Sequence, residues 1–161
     1  FPEPVAYNFG QNLVKIPGLD GSLKMSKSDN ENSCIFLADT ADVIRKKVMK
    51  AVTDAGPTEP NSTKPPVIEN LFSLMAVVSK EETIEHFDEL YNNCSIRYGD
   101  LKKQLAEDMV AFVAPLSEKI RELSSDNDYL HKVARMGAEK ARESAGKTVR
   151  EVREIIGFKS F

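Results

Sequence analysis

The chain has 161 residues, of which 41% are hydrophobic and 29% charged, with a formal net charge of −3. That balance fits one ordinary domain, or two small pieces sharing a core, and excludes an intrinsically disordered chain. It also excludes a surface that is basic all over, so any contact with nucleic acid must come from local patches.

No run approaches the roughly 18–20 consecutive apolar residues that a membrane span needs, and no basic segment followed by an apolar run opens the sequence. Cys34 and Cys94 stand alone without CxxC spacing, and His86 and His131 are far from both in sequence. This argues against a zinc site and a disulfide framework, and for reduced thiols in a cytosolic protein. The first residue is Phe1, and FPEPVAYNF has the character of an internal strand-and-loop region. Pro2 and Pro4 suit no helix interior. The expectation is a fragment whose upstream part is missing; a processed mature chain is the alternative.

Residues 1–38 read as irregular or strand-like, with Pro17, Gly18 and Gly21 marking turns. GSLKMSKSDN, residues 21–30, has no apolar periodicity. Two lysines and three serines suit a loop that holds an anion, because an ammonium is a compact point charge and hydroxyls add hydrogen bonds. A solvated surface loop has the same composition, so the residues alone leave both readings open. Met25, a hydrophobe among polar neighbours, is expected to pack on something.

From Asp39 the character becomes helical, with Asp39 as N-cap, Ile44, Val48 and Val52 on one face, and Arg45, Lys46, Lys47 and Lys50 on or beside the other. Residues 55–66, AGPTEPNSTKPP, form a connector, either a boundary or an exposed loop. VIENLFSLMAVV then favours a buried helix over a strand. Ser79 with Glu82 spells a capping box before a helix whose face carries Ile84, Phe87 and Tyr91. Another helix starts at Gly99 and Asp100, with Leu101, Leu105, Phe112, Leu116, Ile120 and Leu123 recurring along it. Pro115 must remove one of its backbone hydrogen bonds and is expected to kink it.

The last helix is expected to start at Ser125 with Asp128 and to stop at Gly157. Its inward stripe would mix Val133, Gly137, Ala141, Val149, Val152 and Ile156, with small residues allowing another helix close approach. Residues 129–153 carry seven basic and three acidic side chains, a balance of +4. That suits phosphate contact, and equally a solvated amphipathic helix with i, i+4 ion pairs.

Lys24-Met25-Ser26-Lys27-Ser28 matches the KMSKS signature of the class I aminoacyl-tRNA synthetases letter for letter. IRKKVMKAVTD downstream, GDLKK at 99–103 and YLHKVARMGAEKARESAGKTVREVREIIGF at the end resemble the bacterial-type tryptophanyl-tRNA synthetases, in that order and spacing. The resemblance covers nearly the whole chain and is specific to the carboxy-terminal part of those enzymes.

The resemblance implies a mainly α fold: a helical bundle, the anticodon-binding domain, at 39–161. Before it, residues 1–38 would be a short piece of the end of a Rossmann-type catalytic domain carrying the KMSKS loop. It implies an ATP-dependent ligase that joins tryptophan to tRNA(Trp), with Mg2+ brought by ATP and no protein metal site in this chain. Lys24 and Lys27 would be the catalytic pair on the β- and γ-phosphates, with hydroxyl or backbone contacts from Ser26 and Ser28. Met25 would anchor the loop, and the backbone at Lys15 and Ile16 would contact adenine. Lys132, Arg135, Lys140 and Arg142 would face tRNA. The family implies a cytoplasmic homodimer, away from membranes. Its HIGH-type motif and tryptophan pocket belong to the nucleotide-binding half and have no counterpart in these 161 residues. The rivals are a tyrosyl-tRNA synthetase fragment, a non-catalytic helical RNA-binding module in which KMSKS is coincidence, and a helical interaction domain with no RNA role.

Overall fold

The computed structural model describes residues 3, 5, 15–28 and 30–158, and among these it contains helices and turns but no strand. Of residues 1–38, expected to be irregular or strand-like, the described part from 15 on is irregular, with turns and one short 3-10 helix, and residues 1–14 fall almost wholly outside the described residues. The mainly α expectation is met. The helices are α1 (Ala41–Met49), α2 (Pro66–Val78), α3 (Glu81–Asn92), α4 (Tyr98–Ser125) and α5 (Asn127–Ile155). The chain divides into two compact units, Phe1–Ser117 and Glu118–Phe161, so the division falls inside α4.

In the first unit, α1 is capped by Thr40, whose Oγ1 accepts from the Val43 N–H at 3.4 Å. Asp39 is not the cap, because its carboxylate is engaged elsewhere: Oδ2 accepts from the Phe36 N–H and from Lys47 Nζ. Ile44 and Val48 are buried as expected. Val52 lies beyond the helix end and is half-exposed, and Ala51 takes the buried place. Lys47, expected on the polar side, is instead buried.

The connector after α1 runs within this unit, and Lys64 fastens its far end. Its ammonium lies 2.5 Å from Asp88 Oδ1 and 4.9 Å from the centres of both the Phe72 and Tyr91 rings. Pro66 opens α2 at its first turn, where a missing N–H costs nothing. Ile68, Leu71, Leu74 and Met75 then face inward.

The capping box at Ser79 and Glu82 does not form. Ser79 instead ends α2, donating its N–H to the Met75 carbonyl at 2.7 Å, and α3 starts after Lys80 without a side-chain cap. Phe87 and Tyr91 are buried, and Ile84 packs against the core.

On α4 the buried positions are Leu101, Leu105, Ala106, Met109, Val113 and Ser117. Phe112 and Leu116, one residue round from Val113 and Ser117, remain outside the stripe and exposed. The helix runs on through Pro115.

In the second unit, Asp126 rather than Ser125 caps α5, its Oδ1 accepting from the Tyr129 N–H at 2.9 Å. Gly157 ends the helix as expected, at φ +75°. The Gly157 N–H donates to the Glu154 carbonyl and the Phe158 N–H to that of Arg153, a Schellman closure. No residue of α5 is buried. The expected inward stripe is open, with Val133 at 48% exposure and Ile156 at 61%, and a Cβ on Gly137 would meet nothing within 4 Å.

Candidate functional site

The KMSKS segment is carried on a tightly fastened piece of backbone. Two turns precede it: the Gly18 N–H donates to the Ser22 carbonyl at 3.0 Å, and the Gly21 N–H to the Gly18 carbonyl at 3.2 Å. Gly21 sits at φ +89°, where a side chain is strained. A Cβ on Gly18 would lie 2.2 Å from Ser22 Oγ and 2.7 Å from Asp20 Oδ1, so a side chain there would displace the Asp20–Ser22 hydrogen bond. Asp20 Oδ1 accepts from the Ser22 hydroxyl at 2.7 Å and from its N–H at 3.1 Å, and these bonds hold the Asp20 carboxyl below its ordinary value. Between the turns, buried Leu19 donates to the Ser33 carbonyl and accepts from the Val52 N–H. The loop is thereby tied to the segment just past α1.

Within the signature, Met25 is the fixed point. Its N–H donates to the Ile16 carbonyl at 2.6 Å, and its Sδ faces the Ile35 N–H at 3.3 Å. Its side chain packs against the core and lines an apolar hollow of about 220 Å³ together with Ile16, Ile35 and Leu74. The two sequence candidates Ile16 and Met25 are thus in direct contact. Around this anchor, Lys24, Lys27 and Ser28 are exposed and Ser26 is half-buried. Among the described residues neither Lys24 nor Lys27 is ion-paired. The loop therefore has a buried apolar middle and two ammonium groups directed to solvent, an arrangement able to meet a polyanion.

After the loop, Asn30 caps a short 3-10 turn, Glu31–Ser33. Residues 34–39 are then held by buried Lys47, which lies 2.7 Å from Asp39 Oδ2 and 2.9 Å from the Cys34 carbonyl. The Cys34 thiol beside it is pushed up from its ordinary value by burial, against the pull of Lys47. Sequence reasoning placed Lys47 among solvent-facing cations. The signal for it is helical spacing: Lys47 follows Ile44 by three residues and precedes Ala51 by four, which places it on the arc that both of them bury. The Asp20–Ser22 turn was legible in principle from the Asp-Gly-Ser run. No group of three or more histidine, cysteine, aspartate or glutamate side chains able to hold a metal occurs among the described residues.

The four tRNA candidates all lie on α5 and all are exposed. At about 100° per residue, Lys132, Arg135 and Arg142 share an arc of about 80°, and Lys140 lies about 80° past Lys132 on the other side. Lys132 and Arg135 border a shallow hollow with Asp128, His131 and Met136. These residues do not share the second unit with the KMSKS loop, which belongs to the first.

A family model described as tRNA synthetases class I (W and Y) matches residues 4–114, more than half of the chain. The chain belongs to that family of class I tRNA synthetases.

Among curated relatives, the tryptophan–tRNA ligase of Porphyromonas gingivalis is 60% identical over 159 residues, covering 99% of this chain and 48% of that protein. The tryptophan–tRNA ligase of Rhizobium meliloti is 41% identical, covering 86% of this chain and 40% of that protein. Among solved structures, tryptophanyl-tRNA synthetase from Campylobacter jejuni, complexed with ADP and tryptophan, superposes with a TM-score of 0.71 at 26% identity. That match covers 92% of this chain and 45% of that one. The chain spans about half the length of the relatives it matches.

Proposed function

We propose that this chain is part of an ATP-dependent tryptophan–tRNA ligase, contributing the loop that acts on the leaving pyrophosphate and helices that bind tRNA(Trp). The observation that carries the reading is the KMSKS loop itself: two exposed ammonium groups flank a methionine fastened to the core. The relatives named as tryptophan–tRNA ligases, and the Campylobacter jejuni structure with ADP and tryptophan, support the choice of substrates. Tyrosyl-tRNA synthetase is the weaker reading, because the 60% identical relative is a tryptophan enzyme.

In the first half-reaction the tryptophan carboxylate attacks the α-phosphorus of ATP. The bond from that phosphorus to the bridging oxygen breaks, and negative charge grows on pyrophosphate. Lys24 and Lys27 meet that charge, stabilising the transition state more than the ground state. Ser26 and Ser28 supply hydroxyl or backbone donors, and Met25 holds the loop. The Ile16 carbonyl already accepts from Met25, so its backbone would serve adenine while pinning the loop. Mg2+ would enter on the phosphates of ATP. In role, residues 1–38 belong to the catalytic domain and 39–161 to the anticodon-binding one. The parent protein is read as a cytoplasmic homodimer; no helix among the described residues is long and apolar enough to cross a membrane.

The test is tryptophan-dependent ATP–pyrophosphate exchange by the full-length protein carrying this chain. Lys27→Ala should raise the barrier by about 3 kcal/mol, roughly a hundredfold in rate. An unchanged rate would leave the non-catalytic RNA-binding reading standing. The 161 residues alone should show no exchange.

A further inference from the structure

Among the described residues Lys47 is the single buried charged side chain. Burying an ammonium is unfavourable unless its charge and donors are satisfied. All its partners lie in residues 34–39, directly after the signature loop: Asp39 Oδ2 at 2.7 Å, the Cys34 carbonyl at 2.9 Å and the Phe36 ring centre at 4.6 Å. The same Asp39 oxygen accepts from the Phe36 N–H at 3.0 Å. One ion pair thus fixes the backbone on both sides of Ile35.

The consequence follows from peptide planarity. The Cys34 carbonyl and the Ile35 N–H belong to one rigid peptide group and point in opposite directions. Lys47 holds the carbonyl end, and the N–H end faces Met25 Sδ at 3.3 Å. Rotating that plane would withdraw the donor from the one signature residue anchored in the core.

We propose that Lys47, clamped by Asp39, is a positioning residue for the KMSKS loop. It acts from α1 by orienting the Cys34–Ile35 peptide that holds Met25, and so sets where Lys24 and Lys27 present their charge. The proposal rests on the reading that this loop acts on pyrophosphate.

The test is a double-mutant cycle in the full-length protein carrying this chain, read by tryptophan-dependent ATP–pyrophosphate exchange with kcat and KM measured separately. Because small misplacement of a catalytic group is costly, Lys47→Met should lower kcat about tenfold or more, with KM for tryptophan within about twofold. Since the effect passes through the loop, Lys27→Ala/Lys47→Met should fall no more than about twofold below Lys27→Ala alone. Lys46→Met, at an exposed neighbour, should match the unaltered protein. An unchanged kcat in Lys47→Met, or factors that multiply in full, would overturn the proposal while leaving the loop reading intact. An unimpaired Lys27→Ala enzyme would overturn both. Circular dichroism checks folding, and if Lys47→Met does not fold, Asp39→Asn, which removes the charge paired with Lys47 while keeping an acceptor for the Phe36 N–H, replaces it in the same cycle with the same expected and overturning results.

Discussion

The two units use the same kinds of residue in opposite ways. In the first, apolar side chains from α1 to α4 close over one another, and even a lysine is drawn inside. In the second, α5 has Tyr129, Leu130, Val133 and Met136 along its first turns and buries none of them. Its order comes from the Asp126 cap, the Gly157 closure and its own backbone bonds. The difference teaches that amphipathic periodicity reports a capacity for burial, which only a facing element converts into burial. The sharpest way to break the comparison is paired truncation, read by urea unfolding of the purified chain. Leu105→Ala, at 0% exposure, should cost about 2–5 kcal/mol. Met136→Ala, at 48% exposure, should stay within about 0.5 kcal/mol. Equal costs would mean that α5 is packed in solution.

The same comparison has a functional form. If the proposed roles hold, chemistry and tRNA contact belong to different units and can be removed separately. Replacing Lys132, Arg135, Lys140 and Arg142 together by alanine should weaken tRNA binding and leave tryptophan-dependent pyrophosphate exchange unchanged. Each lost phosphate contact should flatten the dependence of log affinity on log salt by about 0.7–0.9. Lys27→Ala should do the reverse, so filter binding across salt and exchange assays on both variants give a crossed pattern. Because Lys140 lies apart from the other three, restoring it alone should recover less of the slope than restoring Arg135. Loss of exchange in the fourfold variant would end the division of roles.

Much of the helical layout was legible because it depends on local signals: Ile44 and Val48 on the buried face of α1, the apolar run VIENLFSLMAVV as a buried helix, Gly157 closing α5. Capping residues slipped by one where a side chain had a better partner. Asp39 could cap α1 in principle, but Lys47 and the Phe36 N–H claim its carboxylate, and Thr40 caps instead. On α4 the sequence offers two adjacent apolar rows, through Met109 and Val113 or through Phe112 and Leu116. Only the position of α1 to α3 decides between them. The signature loop was readable as letters, and Met25 as an anchor. The peptide that holds Met25 depends on a lysine thirteen residues past Cys34, a distance at which no sequence spacing carries information.

The smallest expected effect lies on the exposed side of the first unit, where charge pairing contrasts with the buried Lys47–Asp39 contact. Arg45 reaches from α1 to α4 and donates Nε and Nη2 to the two oxygens of Glu107, at 2.7 and 2.9 Å. Those hydrogen bonds hold the Glu107 carboxyl below its ordinary value of 4.5. A carboxyl whose value is lowered by folding binds fewer protons in the folded chain than in the unfolded one over the interval between the two values. Stability from the pair is therefore fully present above about pH 4.5 and is lost as the pH falls through the lowered folded value. Both side chains are open to water, so the contribution is slight and screened by salt. Urea midpoints of the unaltered chain and of Glu107→Gln should differ slightly at pH 7 and converge below pH 4.5. They should also converge at neutral pH in 1 M salt, where the screening length is about 3 Å. A difference that persists in acid and in salt would mean that Glu107 acts through packing of its stem against α1, making this face an extension of the core.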